Sequence, residues 1–229
     1  MLNTEIALVG YLDDDIVLKQ NAIAEMLHFW SKCPVIIGGA SFNIINSPPT
    51  KANWLTKLFH IDDGRKGRIL RSGFNTMIAP VKSDIYVEWL SGGATVWRRD
   101  ILDEFKYDEW FEGWAYIEDI DFSLTVSNTY KLIIVHSAKV EHLPPPYLLR
   151  KLCSLNRIIT KQRYYLVRKH AQLSLAVFCW ASLGLLVKGL TDGIWQRQIG
   201  PLLAGSGVIA GLFDIIRGNL THNDQKFRA

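Results

Sequence analysis

The sequence predicts an α/β domain followed by a helical, hydrophobic tail. Three observations lead there. Short β-branched runs alternate with segments of helical spacing as far as residue 142. A triple proline, Pro144-Pro145-Pro146, then stops the pattern. Beyond it come a basic run and two long stretches almost free of charge. The expected domains are therefore residues 1–146 and residues 147–229.

At 229 residues the chain can bury one core of ordinary size. Apolar residues at 48% and charged residues at 21% exclude a disordered or collagen-like chain. Cys33, Cys153 and Cys179 are odd in number and widely spaced, with no CxxC, which excludes a disulfide framework and a thiolate zinc site. No basic segment precedes the first apolar run, so no signal peptide is expected. The net charge of +4 divides unevenly: residues 1–146 carry 14 Lys/Arg against 19 Asp/Glu, and residues 147–229 carry 12 against 3.

Taken in order, residues 5–12 (EIALVGYL) predict a buried strand stopped by three aspartates. Residues 16–31 set Val17, Ala24, Leu27 and Trp30 at helical spacing. Residues 34–45 are apolar and β-branched, with Gly38-Gly39 marking a bulge or a close backbone approach. Residues 46–80 break into turn chemistry at Pro48-Pro49, Asp62-Asp63-Gly64 and Ser72-Gly73, and predict a long looped excursion that carries acceptor recognition. Residues 85–90 predict a strand, residues 95–105 (TVWRRDILDEF) a helix, residues 118–126 a helix and residues 131–135 a strand.

Four constellations could carry chemistry. Asp13-Asp14-Asp15 closes an apolar strand, the place where open α/β sheets bind ligands, and oxygen donors there suit Mg²⁺ or Mn²⁺ with a diphosphate. The plain alternative is a solvated turn. Ser91-Gly92-Gly93 lets a backbone approach a sugar or phosphate, or simply makes a tight turn. Glu118, Asp119 and Asp121 follow Trp110, Phe111, Trp114 and Tyr116, and a carboxyl desolvated by aromatics can serve as a general base. Helix-dipole complementation accounts for the same acids without function. His142 could complete a metal site with Asp15, although a lone histidine is more often structural.

The order of these parts is more specific than any one of them. DDD, then SGG, then IEDIDFS, then a histidine resembles the second half of a family 2 glycosyltransferase of the GT-A fold. Residues 89–123 (WLSGGATVWRRDILDEFKYDEWFEGWAYIEDIDFS) and 67–75 (GRILRSGFN) carry the resemblance, which covers residues 6 to 142. It implies part of a GT-A, Rossmann-like sheet and an inverting, metal-dependent transfer from a nucleotide-sugar donor to a hydroxyl of a glycan or lipid-linked acceptor. Cell-surface polysaccharide or glycolipid synthesis would be the setting, and Mg²⁺ or Mn²⁺ the cofactor. Asp13 and Asp15 match the family's DxD pair, with Asp15 as metal ligand and Asp13 on the donor side. Gly92 and Gly93 match the glycine loop beside the donor sugar, Asp119 the catalytic base, and His142 the histidine at metal or diphosphate. Glu118 and Trp114 fall on the substrate side.

Two departures stand out. Thr125 occupies a position where the family often has Arg. Members also carry, before the DxD motif, the βαβ units that hold the nucleotide base. This chain begins at the strand leading into the motif, so half of the nucleotide pocket and one covered sheet edge are expected to be missing.

In the tail, residues 171–187 hold no charge and residues 199–216 only Asp214, close to the lower limit for crossing a bilayer. The basic run ahead of them belongs on the cytoplasmic face. The expectation is a membrane-associated protein with its catalytic part cytoplasmic and no nucleic-acid partner. A spanning hairpin and a pair of interfacial helices both satisfy it. Two other functions fit less of the sequence: a non-catalytic membrane-bound remnant of such an enzyme, and a haloacid-dehalogenase-like phosphatase, whose nucleophile strand LVGYLDDDIVL also matches.

Overall fold

A computed structural model describes residues 7–48, 52–78, 80–111, 116–144, 148–195 and 197–220. The fold is mixed α/β: a nearly closed, barrel-like mixed sheet followed by three helices. The strands are β1 (Leu8–Leu12), β2 (Ile16–Leu18), β3 (Ile37–Ile44), β4 (Ile85–Val87), β5 (Ala94–Arg98) and β6 (Lys131–His142). The helices are α1 (Ala22–Trp30), α2 (Trp54–Leu58), α3 (Arg99–Glu104), α4 (Glu118–Val126), α5 (Leu152–Lys169), α6 (Leu175–Trp195) and α7 (Ile199–Ile216).

The sheet runs β1-β5-β3-β6-β2, with β4 also paired to β6. Only β3 and β6 are parallel; every other pair is antiparallel. The connectivity explains the curl. β1 and β2 stand at opposite ends of the strand order, yet only Asp13, Asp14 and Asp15 join them. The sheet must bend until its two edges meet across that turn, and the three aspartates bridge the seam.

Two expected helices begin later than their spacing indicates. Ile16, Val17 and Leu18 form β2, opposite His142, Glu141 and Val140. Helix α1 starts only after Asn21, whose φ of 64° a helix interior does not hold. Likewise Ala94–Arg98 form β5, with Val96 and Trp97 packed between β1 and β3, and α3 follows from Arg99. In both places pairing with a distant strand, β6 for β2 and β1 and β3 for β5, outweighs a weak 3.6-residue pattern. β6 continues past residue 135 to His142, with a register shift against β3 at Phe42/Asn43. Helix α4 has the expected bounds.

Successive residues of β6 feed opposite cores. Leu132 and Ile134 join Trp97, Ile101, Phe122 and Leu166 on the side of α3, α4 and α5. Ile133 and Val135 join Met26, Phe42 and Val96 beneath α1. Trp97 meets Phe122 edge to face at 4.9 Å and covers Gly39. A Cβ on Gly39 would lie 2.5 Å from the Trp97 ring. We therefore expect Gly39→Ala to cost about 1–3 kcal/mol, read as a lower denaturant midpoint with an unchanged slope; an unchanged midpoint would show that the Trp97 ring can move aside.

Candidate active site

The seam of the sheet opens into a cleft of about 1050 Å³. Asp13, Asp15, Gly92, Gly93, Glu118, Asp119 and His142 all line it. Four segments bring them there: the turn between β1 and β2, the loop ahead of β5, the first turn of α4 and the end of β6. Asp13 follows β1, and its N–H donates to the Gly93 carbonyl at 2.9 Å, just ahead of β5. Asp15 precedes β2, and its carbonyl accepts from the Leu143 N–H at 2.9 Å, just past the end of β6. The aspartate turn is thereby tied to both sides of the seam.

Gly93 is required by space. A Cβ there would sit 2.0 Å from Asp13 Oδ2, so the carboxylate occupies the place of the missing side chain. Gly93→Ala should push the Asp13 carboxylate aside at a cost of about 1–3 kcal/mol, read as a lower thermal transition; an unchanged transition would show that the Asp13 side chain can move away freely. Gly92 acts differently, since a Cβ there would make only ordinary contact with Asp119 at 3.5 Å. Its contribution is the N–H, which donates to Asp119 Oδ2 at 3.2 Å.

Asp119 lies in the first turn of α4, and its Oδ1 accepts the Ile120 N–H at 2.8 Å. It keeps an accessible edge toward the cleft, but the protein crowded around it decides its proton affinity. Burial pushes its carboxyl up to about 7, against the lowering effect of the two backbone N–H groups. Burial also raises the neighbouring Glu118. An acid poised there can exchange a proton near neutrality. One wall of the cleft is Tyr107, stacked on Phe122 at 4.1 Å and edge-on to Tyr11 at 6.4 Å. Burial, and then the nearby Tyr11, Asp119 and Glu118, raise the Tyr107 phenol well above its ordinary range. Leu148 and Lys151, just ahead of α5, and Leu155 in its first turn also line the cleft.

No protein-family model matches this chain, and no curated protein matches it.

Asp15 and His142 meet across the seam, with His142 Nε2 3.2 Å from Asp15 Oδ1. That oxygen is buried and accepts no hydrogen bond. Among the described residues, no three of His, Cys, Asp and Glu converge into a ready metal cage. The Asp15 carboxylate and the His142 ring are two donors of the kinds that a hard cation can share with phosphate and water.

The sequence grouped Asp121 with Glu118 and Asp119, but the helix turns it away. Asp121 lies within 2.7 Å of His170 Nε2 and accepts from Lys169 Nζ at 2.7 Å; Lys169 also reaches Asp108 at 2.6 Å. These contacts clamp α4 to the end of α5. The described residues of 46–80 do not line the cleft either. Within that excursion, Phe74 lies under the Arg163 guanidinium at 3.8 Å, and Glu88 pins Ile69 N–H at 2.7 Å. Trp114 lies outside the described residues. Tyr11, Tyr107 and Lys151 escaped sequence reasoning: no motif marks them, and only the curl of the sheet and the return of α5 bring them to the cleft.

Proposed function

We propose that this cleft transfers a sugar from a nucleotide-sugar donor to an acceptor hydroxyl, with inversion at the anomeric carbon. The observation that carries the reading is Asp119: a carboxyl raised toward neutrality, held by the Gly92 N–H, on the same cleft as the Asp13–Asp15 turn and His142. The resemblance of DDD, SGG, IEDIDFS and the later histidine to a GT-A transferase supports the same assignment.

In this reading Asp119 takes the acceptor's hydroxyl proton while the oxygen attacks the anomeric carbon. The bond from that carbon to the diphosphate oxygen breaks, and its electron pair leaves with the nucleoside diphosphate. Gly92 holds the base in place through its N–H. Gly93 leaves room for Asp13 on the donor side, and Tyr11 and Tyr107 offer flat faces against which a sugar ring can lie. Asp15 and His142 would hold a divalent cation, which when bound neutralises charge on the diphosphate. A glycan or lipid-linked precursor of a cell-surface polymer is the acceptor class.

The reading is tested by nucleoside diphosphate release across a panel of nucleotide-sugar donors, with Mg²⁺ or Mn²⁺ present. Release that depends on Asp119 supports it. Neither release nor calorimetric binding with any donor would leave a non-catalytic role in its place.

A further inference from the structure

Helix α7 runs parallel to the first two turns and middle of α5, too closely for side chains between them. A Cβ on Gly207 would lie 2.2 Å from the Cys153 carbonyl oxygen, and one on Gly211 2.9 Å from the Arg157 carbonyl oxygen. Gly200, at the other end of the contact, faces Leu149 and Leu152 at 3.5 Å. Asp214 then accepts from Arg157 Nε at 2.5 Å and Nη2 at 2.8 Å, and lies 3.8 Å from Lys161 Nζ. Helix α6 returns antiparallel, with Gly193 against Leu202 and Gly189 against the Pro201 carbonyl.

The stretch of α5 beneath α7 also carries Leu155, which lines the cleft together with Lys151 just ahead of the helix. If α7 crossed a bilayer, the Asp214–Arg157 pair and Lys161 would be drawn to hydrocarbon depth together with the cleft's own wall, and ionisable side chains are costly there. The α5–α7 contact therefore speaks against a spanning hairpin.

The two helices are nonetheless apolar on their outer sides. Leu190, Ile194 and Trp195 of α6 and Ile209, Phe213 and Ile216 of α7 are exposed, Trp195 by 89% and Ile216 by 81%. In α7 the outward residues recur at helical spacing on the side opposite Gly207, Gly211 and Asp214. Charge identifies what covers these rows. Asp192 and Asp214 are the acidic residues of α6 and α7, and both are paired, with Lys188 and Arg157. Two exposed cations stand at the rim: Arg197 in the connecting turn, and Arg217, whose guanidinium is 5.8 Å from the exposed Phe213 ring and whose charge also acts on Asp214. Apolar rows with a basic rim and an exposed tryptophan match the headgroup zone of an anionic bilayer.

We propose that α6 and α7 lie in one anionic leaflet without crossing it, so that the cleft opens beside the membrane surface. The proposal does not rest on the transferase assignment, and its test uses no sugar substrate. The full chain should float with phosphatidylcholine vesicles containing phosphatidylserine and remain bound through a high-salt wash, because apolar burial is not screened as surface charge is. Ile194→Glu with Phe213→Glu should reduce binding at least tenfold while the thermal transition is kept, both side chains being exposed. Arg197→Gln with Arg217→Gln should weaken binding to anionic vesicles and leave binding to phosphatidylcholine alone unchanged.

Sidedness is read in bacterial cells producing the chain, with Gln198→Cys as the single thiol after the native cysteines are replaced by serine. Labelling by an impermeant maleimide only after permeabilisation is the expected result. Labelling in intact spheroplasts would mean a spanning hairpin and would overturn the proposal, as would failure of the chain to float. A stable dimer in vesicle-free buffer, dissociated by the same glutamate substitutions, would assign the rows to a second copy and overturn it equally.

Discussion

Asp119→Asn is expected to slow sugar transfer by about 10²–10⁴-fold and to change donor affinity little, because the amide keeps the shape of the carboxylate but cannot take a proton. The wild-type rate should also depend on pH in a particular direction. Only the ionised form is a base, and burial pushes this carboxyl up to about 7, so kcat/KM should climb with pH through neutrality and then level off. The Asn variant should lose that limb. Near-full turnover in Asp119→Asn, with loss in Glu118→Gln instead, would move the base to the neighbouring half-buried carboxyl.

The same burial has an opposite consequence for stability. A carboxyl whose proton affinity is raised on folding binds more protons folded than unfolded, between its unfolded value near 4 and its folded value near 7. Its contribution is fully present below the lower value and is lost as pH rises through the upper one. Asp119→Asn removes that loss. At pH 8 the variant should therefore be more stable than the wild type, by roughly 2–4 kcal/mol, and near pH 4 the two should unfold alike. Slower chemistry together with higher stability at alkaline pH would be difficult to obtain from a residue with only a packing role, whose replacement would weaken the fold at every pH.

What was legible in the sequence follows from how far each signal reaches along the chain. Helix α4 was bounded correctly because its signal is local: acids at the start and an apolar sequence within one short segment. β2 and the β5–α3 junction were misjudged because their pairing partners lie far away, on β6 and β3, and helical spacing was the only local pattern on offer. The resemblance implies part of a Rossmann-like sheet, and the antiparallel course of β1, β2, β4 and β5 depends on a curl visible only once β1 and β2 are seen at opposite edges. Asp13, Asp15, Gly92, Gly93, Glu118, Asp119 and His142 were each picked out by residue type and order, and they meet on one cleft. Asp121, grouped with Glu118 and Asp119 by sequence, stands apart from them for a simple geometric reason. Two positions along a helix from Asp119, it points to another side, where Lys169 and His170 hold it.

Asp15→Asn should show whether the meeting of Asp15 with His142 is a cation site or a structural contact. As a cation site, the pair loses its negative charge, and transfer should fall by about 10³-fold or more, the several kcal/mol of a bound cation's charge stabilisation. Mn²⁺ binding, followed by its electron paramagnetic resonance signal, should weaken in parallel. His142→Ala should do the same, and the double variant should be little worse than either alone, since both side chains serve one ion. The metal-free fold supplies the contrasting readout. Asp15 Oδ1 is buried and accepts no hydrogen bond, with the His142 ring 3.2 Å away, and a buried carboxylate oxygen without a hydrogen bond costs stability. Replacing that carboxylate by a neutral amide should leave the metal-free chain melting as high as the wild type or higher. A structural role predicts the reverse: a lower melting temperature, with metal dependence of turnover unchanged. The two accounts thus differ in sign on one measurement and in size on the other, and an Asp15→Asn variant that is less stable yet equally metal-dependent would end the cation reading of the seam.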